Sequence, residues 1–87
     1  MSEKCIPWLI MSDVTNMIKN IGAAIRSRRK RLGMTQQDVA EITGLQRQTI
    51  SRVEAGNEAV AVATVARVAT VVGLDLLARP RYEHGRS

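Results

Sequence analysis

The stretch TQQDVAEITGLQRQTISRVEAG, residues 35–56, decides the fold of this chain. Thr35 is a good helix N-cap, and Asp38 three residues later gives a box-like cap. Gly44 ends this helix, and a second short helix is expected from about Gln46 to Ala55. Two short helices joined by a tight, glycine-containing turn are typical of a helix-turn-helix.

The second of these helices has one apolar side and one densely polar side. Leu45, Ile50 and Val53 are expected to be buried. In a helix-turn-helix the second helix lies in the major groove, where Arg can pair with guanine and Gln with adenine in bidentate fashion. The helix N-termini at Gln36 and Gln46 suit phosphate oxygens. The expected groove-facing residues are Gln46, Arg47, Gln48, Thr49, Ser51 and Arg52.

Apolar periodicity places a helix on either side of this pair. The first is expected to begin near Ser12 or Asp13 and to end at Gly33, with Arg29 interrupting its inward stripe. The fourth is expected over about residues 61–72, although its many valines also permit a strand. The residues expected to face inward in these helices and in the Thr35 helix are Ile18, Ile21, Ile25, Leu32, Val39, Ala40, Ile42, Val62, Val65, Ala66, Val68, Ala69 and Val72.

The two ends of the chain have different predicted roles. Residues 1–11 form an arm containing Trp8, which is a candidate interface anchor or a residue that packs on its own domain. The helix-turn-helix domain is expected to span residues 12–73. A short strand over residues 74–80 follows, with a loop or a short fifth helix as the alternative, and residues 81–87 form a polar tail.

The segments TQQDVA, GL and TISRVEAG together resemble the lambda repressor/Cro (XRE) helix-turn-helix family, over about residues 21–76. The resemblance implies an all-α bundle of four to five helices. It also implies that Gln36 holds a phosphate, that Asn57 touches the DNA backbone, and that Arg29 and Glu54 form an inward ion pair. Such a pair would explain an arginine in an apolar stripe, because a buried charge needs a partner. Ala61 departs from the family pattern, which usually has Ser or Thr as the cap of the fourth helix.

Within this family the C-terminal end looks most like HipB-type antitoxins, in which a short strand pairs with its twin across a dimer. The resemblance implies dimerisation through Leu74, Leu76, Leu77 and Ala78. The expected function is a repressor that binds a palindromic double-stranded operator as a homodimer, plausible as the antitoxin of a HipA-like toxin. The alternatives are a stand-alone phage-type repressor, and a basic protein-interaction or membrane-surface module.

Composition agrees with an anionic partner and gives no sign of catalysis. The 87 residues carry a net charge of +5, and residues 1–33 hold seven Lys and Arg against two acidic residues. Cys5 is the only cysteine, so no intrachain disulfide is possible. The only histidine, His84, lies in the polar tail, and no catalytic, metal-binding or cofactor pattern is evident. No transmembrane or signal segment is expected, which predicts a cytoplasmic protein without a membrane partner.

Overall fold

The computed structural model describes the backbone of residues 7–78 and the side chains of residues 11–78. This part of the chain contains four α-helices: α1 (Pro7–Arg31), α2 (Gln36–Thr43), α3 (Arg47–Ala55) and α4 (Val62–Val71). The expected helix at residues 61–72 is thus confirmed over its strand alternative. The all-helical bundle that the sequence predicts is confirmed for these residues.

Local capping fixes where α2 begins and ends. The Thr35 hydroxyl accepts a hydrogen bond from the backbone N–H of Asp38 at 3.0 Å. The Asp38 carboxylate in turn accepts one from the Thr35 N–H at 2.8 Å. Gly44 has φ 76° and closes the helix through its N–H to the Ala40 carbonyl. Only glycine adopts this left-handed conformation without a steric cost, so Gly44 determines where α2 ends and the turn into α3 begins.

A small aliphatic core joins the four helices. Its largest fully buried side chains are Ile25, Val39, Ile50, Val68 and Val72. Burying each such side chain contributes about 1.5–3 kcal/mol. Helix α1 packs on α3, and α2 packs on both α3 and α4. Helix α3 also contacts α4, so one side of it is packed against the other three helices.

Gly22 allows α1 and α3 to approach each other closely. A Cβ atom at this position would lie 2.5 Å from the Val53 carbonyl oxygen and 2.7 Å from that of Glu54. Both atoms belong to the backbone of α3, so they cannot move aside as a flexible side chain would. The absence of a side chain at Gly22 thus fixes the spacing of these two helices.

The predicted start of the first helix is wrong. It was placed near Ser12 or Asp13, but α1 begins at Pro7, so residues 7–11 of the predicted arm are helical. Proline is well tolerated in the first turn of a helix, where its missing N–H has no intrahelical partner to lose. Ser12 and Asp13 therefore lie inside α1 and do not cap it.

Three residues predicted to face inward are exposed instead. They are Leu32, Ile42 and Val62, and Val62 keeps 79% of its surface accessible. Leu32 follows the last residue of α1, Ile42 lies in the last turn of α2, and Val62 is the first residue of α4. Periodicity continues to the end of a helix, but the neighbouring helices that would cover these positions do not reach so far.

The C-terminal segment has no regular secondary structure in this single chain from Leu74 to Ala78. The strand predicted here would need a partner for its backbone groups. Arg79, Pro80 and the tail predicted at residues 81–87 lie outside the described residues, as do residues 1–6. The side chain of Trp8 also lies outside the described part.

Candidate nucleic-acid interface

Helix α3 presents one side to the core and one side to solvent. Ile50, Val53 and Glu54 are buried, which anchors the helix and fixes its rotation. The exposed side chains on the opposite side are Gln46, Arg47, Gln48 and Arg52, with Thr49 and Ser51 half-buried beside them. Gln46 stands at the N-cap in an extended conformation and makes no side-chain cap hydrogen bond. The structure therefore brings all six predicted groove-facing residues to α3 and its N-cap, with four of them exposed.

A buried ion pair connects α1 to α3 beneath this surface. Arg29 Nε donates to Glu54 Oε2 at 2.5 Å, and Arg29 Nη2 donates to Glu54 Oε1 at 3.0 Å. Arg29 Nη1 also donates to the Met34 carbonyl at 2.8 Å. Both side chains are almost completely excluded from solvent. This is the pair that the family resemblance implies, and its two parallel hydrogen bonds give the fork-to-fork geometry that guanidinium and carboxylate favour.

The same pair governs the ionisation of Arg29. Hydrogen bonding to Glu54 raises the pKa of Arg29 above its ordinary value, with a further coulombic contribution, although burial acts in the opposite direction. An arginine with a raised pKa stays charged at every pH of practical interest. Its contribution to stability is fully present below its unfolded pKa and is lost only as pH rises through the still higher folded value. We therefore expect the Arg29 contribution to be constant around neutral pH.

Gln36 links this buried pair to the exposed surface of α3. Its amide nitrogen donates to Glu54 Oε1 at 3.1 Å. Its amide oxygen accepts a hydrogen bond from Arg47 Nη1 at 3.3 Å. A chain of polar contacts thus runs from Arg29 through Glu54 and Gln36 to Arg47. Sequence reasoning assigned Gln36 a phosphate contact, which stays a prediction, but it did not foresee that the side chain orients Arg47.

A polar recess lies beside the exposed side of α3 and was not anticipated. Thr49, Arg52, Asn57 and Thr64 line it together with residues 59–61. Asn57 Oδ1 accepts a hydrogen bond from the Ala59 N–H at 2.8 Å. The start of α4 at Ala61 has no side-chain cap.

The basic residues at the end of α1 have two different roles. Arg28 Nε donates to the Val72 carbonyl at 3.1 Å, so this arginine ties α1 to the end of α4. Arg26, Lys30 and Arg31 are exposed and contribute a diffuse positive surface. The cationic character of the last turns of α1 also suits the negative end of its helix dipole.

The four residues predicted to form a dimer interface are not equivalent. Leu74 is half-buried and packs against the core. Leu76, Leu77 and Ala78 are exposed, and Leu77 keeps 86% of its surface accessible. Together with residues of α1 this segment borders an open, mainly apolar groove.

No group of three or more His, Cys, Asp and Glu side chains within the described residues could hold a metal ion. Among the helices that the structure describes, none has the length and apolar character to cross a membrane.

The capped α2, the left-handed turn at Gly44 and the exposed polar side of α3 define a helix-turn-helix protein. The helix-turn-helix family model matches residues 25–78, more than half of the chain. An uncharacterized HTH-type transcriptional regulator of Methanothermobacter thermautotrophicus is 41% identical over 49 residues, which cover 56% of this chain and 71% of that protein. The chain belongs to the XRE-type helix-turn-helix family of DNA-binding transcriptional regulators.

Proposed function

We propose that this protein is a repressor that binds a palindromic operator as a homodimer, with α3 of each subunit in the major groove. The observation that carries the proposal is the exposed polar side of α3, where Arg47 is oriented by Gln36. A side chain held in place before binding loses less conformational freedom when it meets a base. A single short helix reads too few base pairs for specificity, and a two-fold dimer would place two such helices about 34 Å apart.

Within the groove, Arg47 is the principal base-reading residue. Its guanidinium has five N–H donors, and among the described residues only Gln36 accepts a hydrogen bond from it, at Nη1. The remaining donors can form a bidentate pair with O6 and N7 of guanine. Gln46 and Gln48 are available for adenine, and Ser51 and Arg52 reach the next bases or a phosphate.

The polar recess beside α3 is suited to the DNA backbone. Arg52, Asn57 and Thr64 surround it, and the uncapped N-terminus of α4 adds the positive end of a helix dipole. We therefore assign Asn57 and Thr64 to phosphate contacts, which set register and orientation and carry no base preference.

A second candidate role is that of an antitoxin, which would bind a HipA-like toxin as well as its own operator. The exposed Leu76 and Leu77 support it, because large apolar side chains left open to solvent commonly mark a partner surface. The test is co-purification with a toxin encoded beside this protein. Separate elution of the two purified proteins would remove the antitoxin role and leave the repressor.

The proposed function is tested by titrating the protein against its own upstream DNA and a scrambled duplex at two salt concentrations. We expect tight binding only to the upstream DNA, with a salt slope of roughly 0.9 per phosphate contact. Arg47→Ala should cost about 1–3 kcal/mol and relax the preference at one base position. The matched control is Arg67→Ala, which removes the same charge from an exposed position on α4. Equal weak binding of the wild type to both duplexes would refute the proposal.

A further inference from the structure

The first half of α1 lies before the part of the chain that matches the family, which begins at residue 25. One side of this half carries an apolar stripe, which we call the α1 stripe: Met11, Val14, Met17, Ile18 and Ile21. Four of its members, at positions 11, 14, 18 and 21, alternate spacings of three and four residues. This is the spacing with which helices pair through a shared apolar seam.

Part of the α1 stripe remains exposed to solvent in the single chain. Met11 and Met17 each keep 56% of their surface accessible and Val14 keeps 37%. Val14 is therefore partly covered, as are Ile18 and Ile21. The rest of the domain is contacted partly through the stripe and partly through the adjacent side of α1, because Ile21 packs against the core, Thr15 donates a hydrogen bond to Glu58 and Gly22 packs on α3.

The α1 stripe borders the C-terminal segment across a groove that is mainly apolar, with Asn20 and Asp75 among its lining residues. Met17, Ile21 and Ala24 form one wall of a groove of about 540 Å³, and residues 74–78 form the other. Leu77, the most exposed large apolar side chain of the segment, lies at this groove. The residues predicted for dimerisation and the α1 stripe therefore form one apolar surface. Soluble proteins rarely leave such a surface open unless a partner covers it.

We propose that this surface pairs with the same surface of a second copy, so that α1 is a principal element of the dimer interface. The inference rests on the homodimer in the proposed function and names the residues that form it. Residues 11–25 contain one acidic and one basic residue, Asp13 and Lys19, so their charge is balanced. A neutral, periodic apolar side is poorly suited to nucleic acid or anionic lipid. It is well suited to its own twin in a two-fold interface.

Pairing through α1 leaves the base-reading residues free. Gly56, just after α3, lies directly against the backbone of Lys19. Thr15 reaches Glu58, beyond the C-terminal end of α3. The α1 stripe thus extends past the end of α3, whereas Gln46, Arg47 and Gln48 lie at its beginning. A second copy bound at the stripe does not cover them.

The inference is tested with Val14→Lys, using sedimentation equilibrium over a series of concentrations. The matched control is Asn16→Lys, because residue 16 is about 200° around the helix from residue 14 and is exposed. Wild type, Asn16→Lys and the conservative Val14→Ile should be dimers with similar dissociation constants. Val14→Lys should raise the dimer dissociation constant at least tenfold, with unchanged helicity by circular dichroism.

A second variant shows whether a loss of dimerisation in Val14→Lys is due to a folding defect. Met11→Lys changes a residue near the start of α1 that is open to solvent in the single chain, so the fold should tolerate it. It should weaken dimerisation in the same direction as Val14→Lys. If the wild type stays monomeric at every concentration, the inference is wrong. Its own tail or another protein would then be what covers the stripe.

Operator titration separates this inference from the proposed function. If the lysine variants dimerise like the wild type and still bind the operator, the interface lies elsewhere, and only the inference fails. If they become monomers but the wild-type dimer shows no sequence preference, the inference stands and the proposed function fails.

Discussion

Glu54→Ala directly tests how much the buried ion pair of Arg29 and Glu54 contributes to the stability of the fold. In Glu54→Ala the Arg29 guanidinium keeps only the Met34 carbonyl among the partners described above. Breaking a buried pair by removing one partner costs about 3–5 kcal/mol, because an uncompensated charge stays buried. A domain of 60–100 residues loses about 4–8 °C of Tm per kcal/mol. The expected fall in Tm is therefore roughly 12–40 °C.

The same calculation predicts that a double substitution will recover most of the loss. In Arg29→Met/Glu54→Leu both charges are gone and no desolvated ion remains, so the variant should unfold at a higher temperature than Glu54→Ala. The matched control is Glu41→Ala, since Glu41 accepts a hydrogen bond from Gln37 at 3.3 Å on the exposed side of α2. That substitution should change stability by less than about 0.5 kcal/mol.

Unfolding by urea, followed by far-UV circular dichroism, gives the free energy of unfolding of each variant. A domain of this size has a total stability of about 0.05–0.15 kcal/mol per residue, so Glu54→Ala can be largely unfolded in buffer. A stabilising osmolyte such as TMAO then brings the transition into range. A loss below about 1 kcal/mol, or a double variant no more stable than the single one, would show that the reasoning about burial is wrong.

Three further changes test other features. Gly22→Ala should destabilise the protein by about 1–3 kcal/mol or more in a thermal melt, despite alanine's better helix propensity, because its Cβ would meet the Val53 carbonyl. An unchanged Tm would mean that the two helices can separate freely. Thr35→Ala removes the side-chain half of the capping box with Asp38 and should cost about 1 kcal/mol in urea unfolding. Gln36→Ala should relax base preference at the position that Arg47 reads, measured with single-base operator variants; equal weakening on every sequence would instead indicate a phosphate contact.

The centre of the fold could be predicted because its determinants are local. The capping box at Thr35 and the glycine at position 44 lie within a few residues of the helix ends that they set. The start of α1 was predicted wrongly because no single local residue determines it. A helix can begin with Pro7 as its first residue, or it can begin later with Ser12 as its N-cap. The neighbouring sequence does not decide between these two starts.

The orientation of Gln36 could not be predicted from the sequence. It depends on Glu54 and Arg47, which lie 18 and 11 residues away in the chain. Which polar partner a glutamine finds depends on how α2 and α3 pack, and periodicity does not contain that information. The exposed Ile42 and Val62 show the same limit, because burial at a helix end depends on the length of its neighbours.

The uninterrupted α1 has a consequence for the geometry of the operator. A straight helix of 25 residues is a rod of roughly 37 Å, and each added residue turns everything beyond it by about 100°. In the proposed dimer, the number of residues between Val14 and Ile25 would therefore fix the angle between the pairing surface and the domain that reads DNA. One residue inserted there would rotate the two subunits out of phase with the double helix, and a whole turn inserted would lengthen the spacing between half-sites. In the proposed dimer, the length of α1 would therefore set the distance between the two recognised sequences.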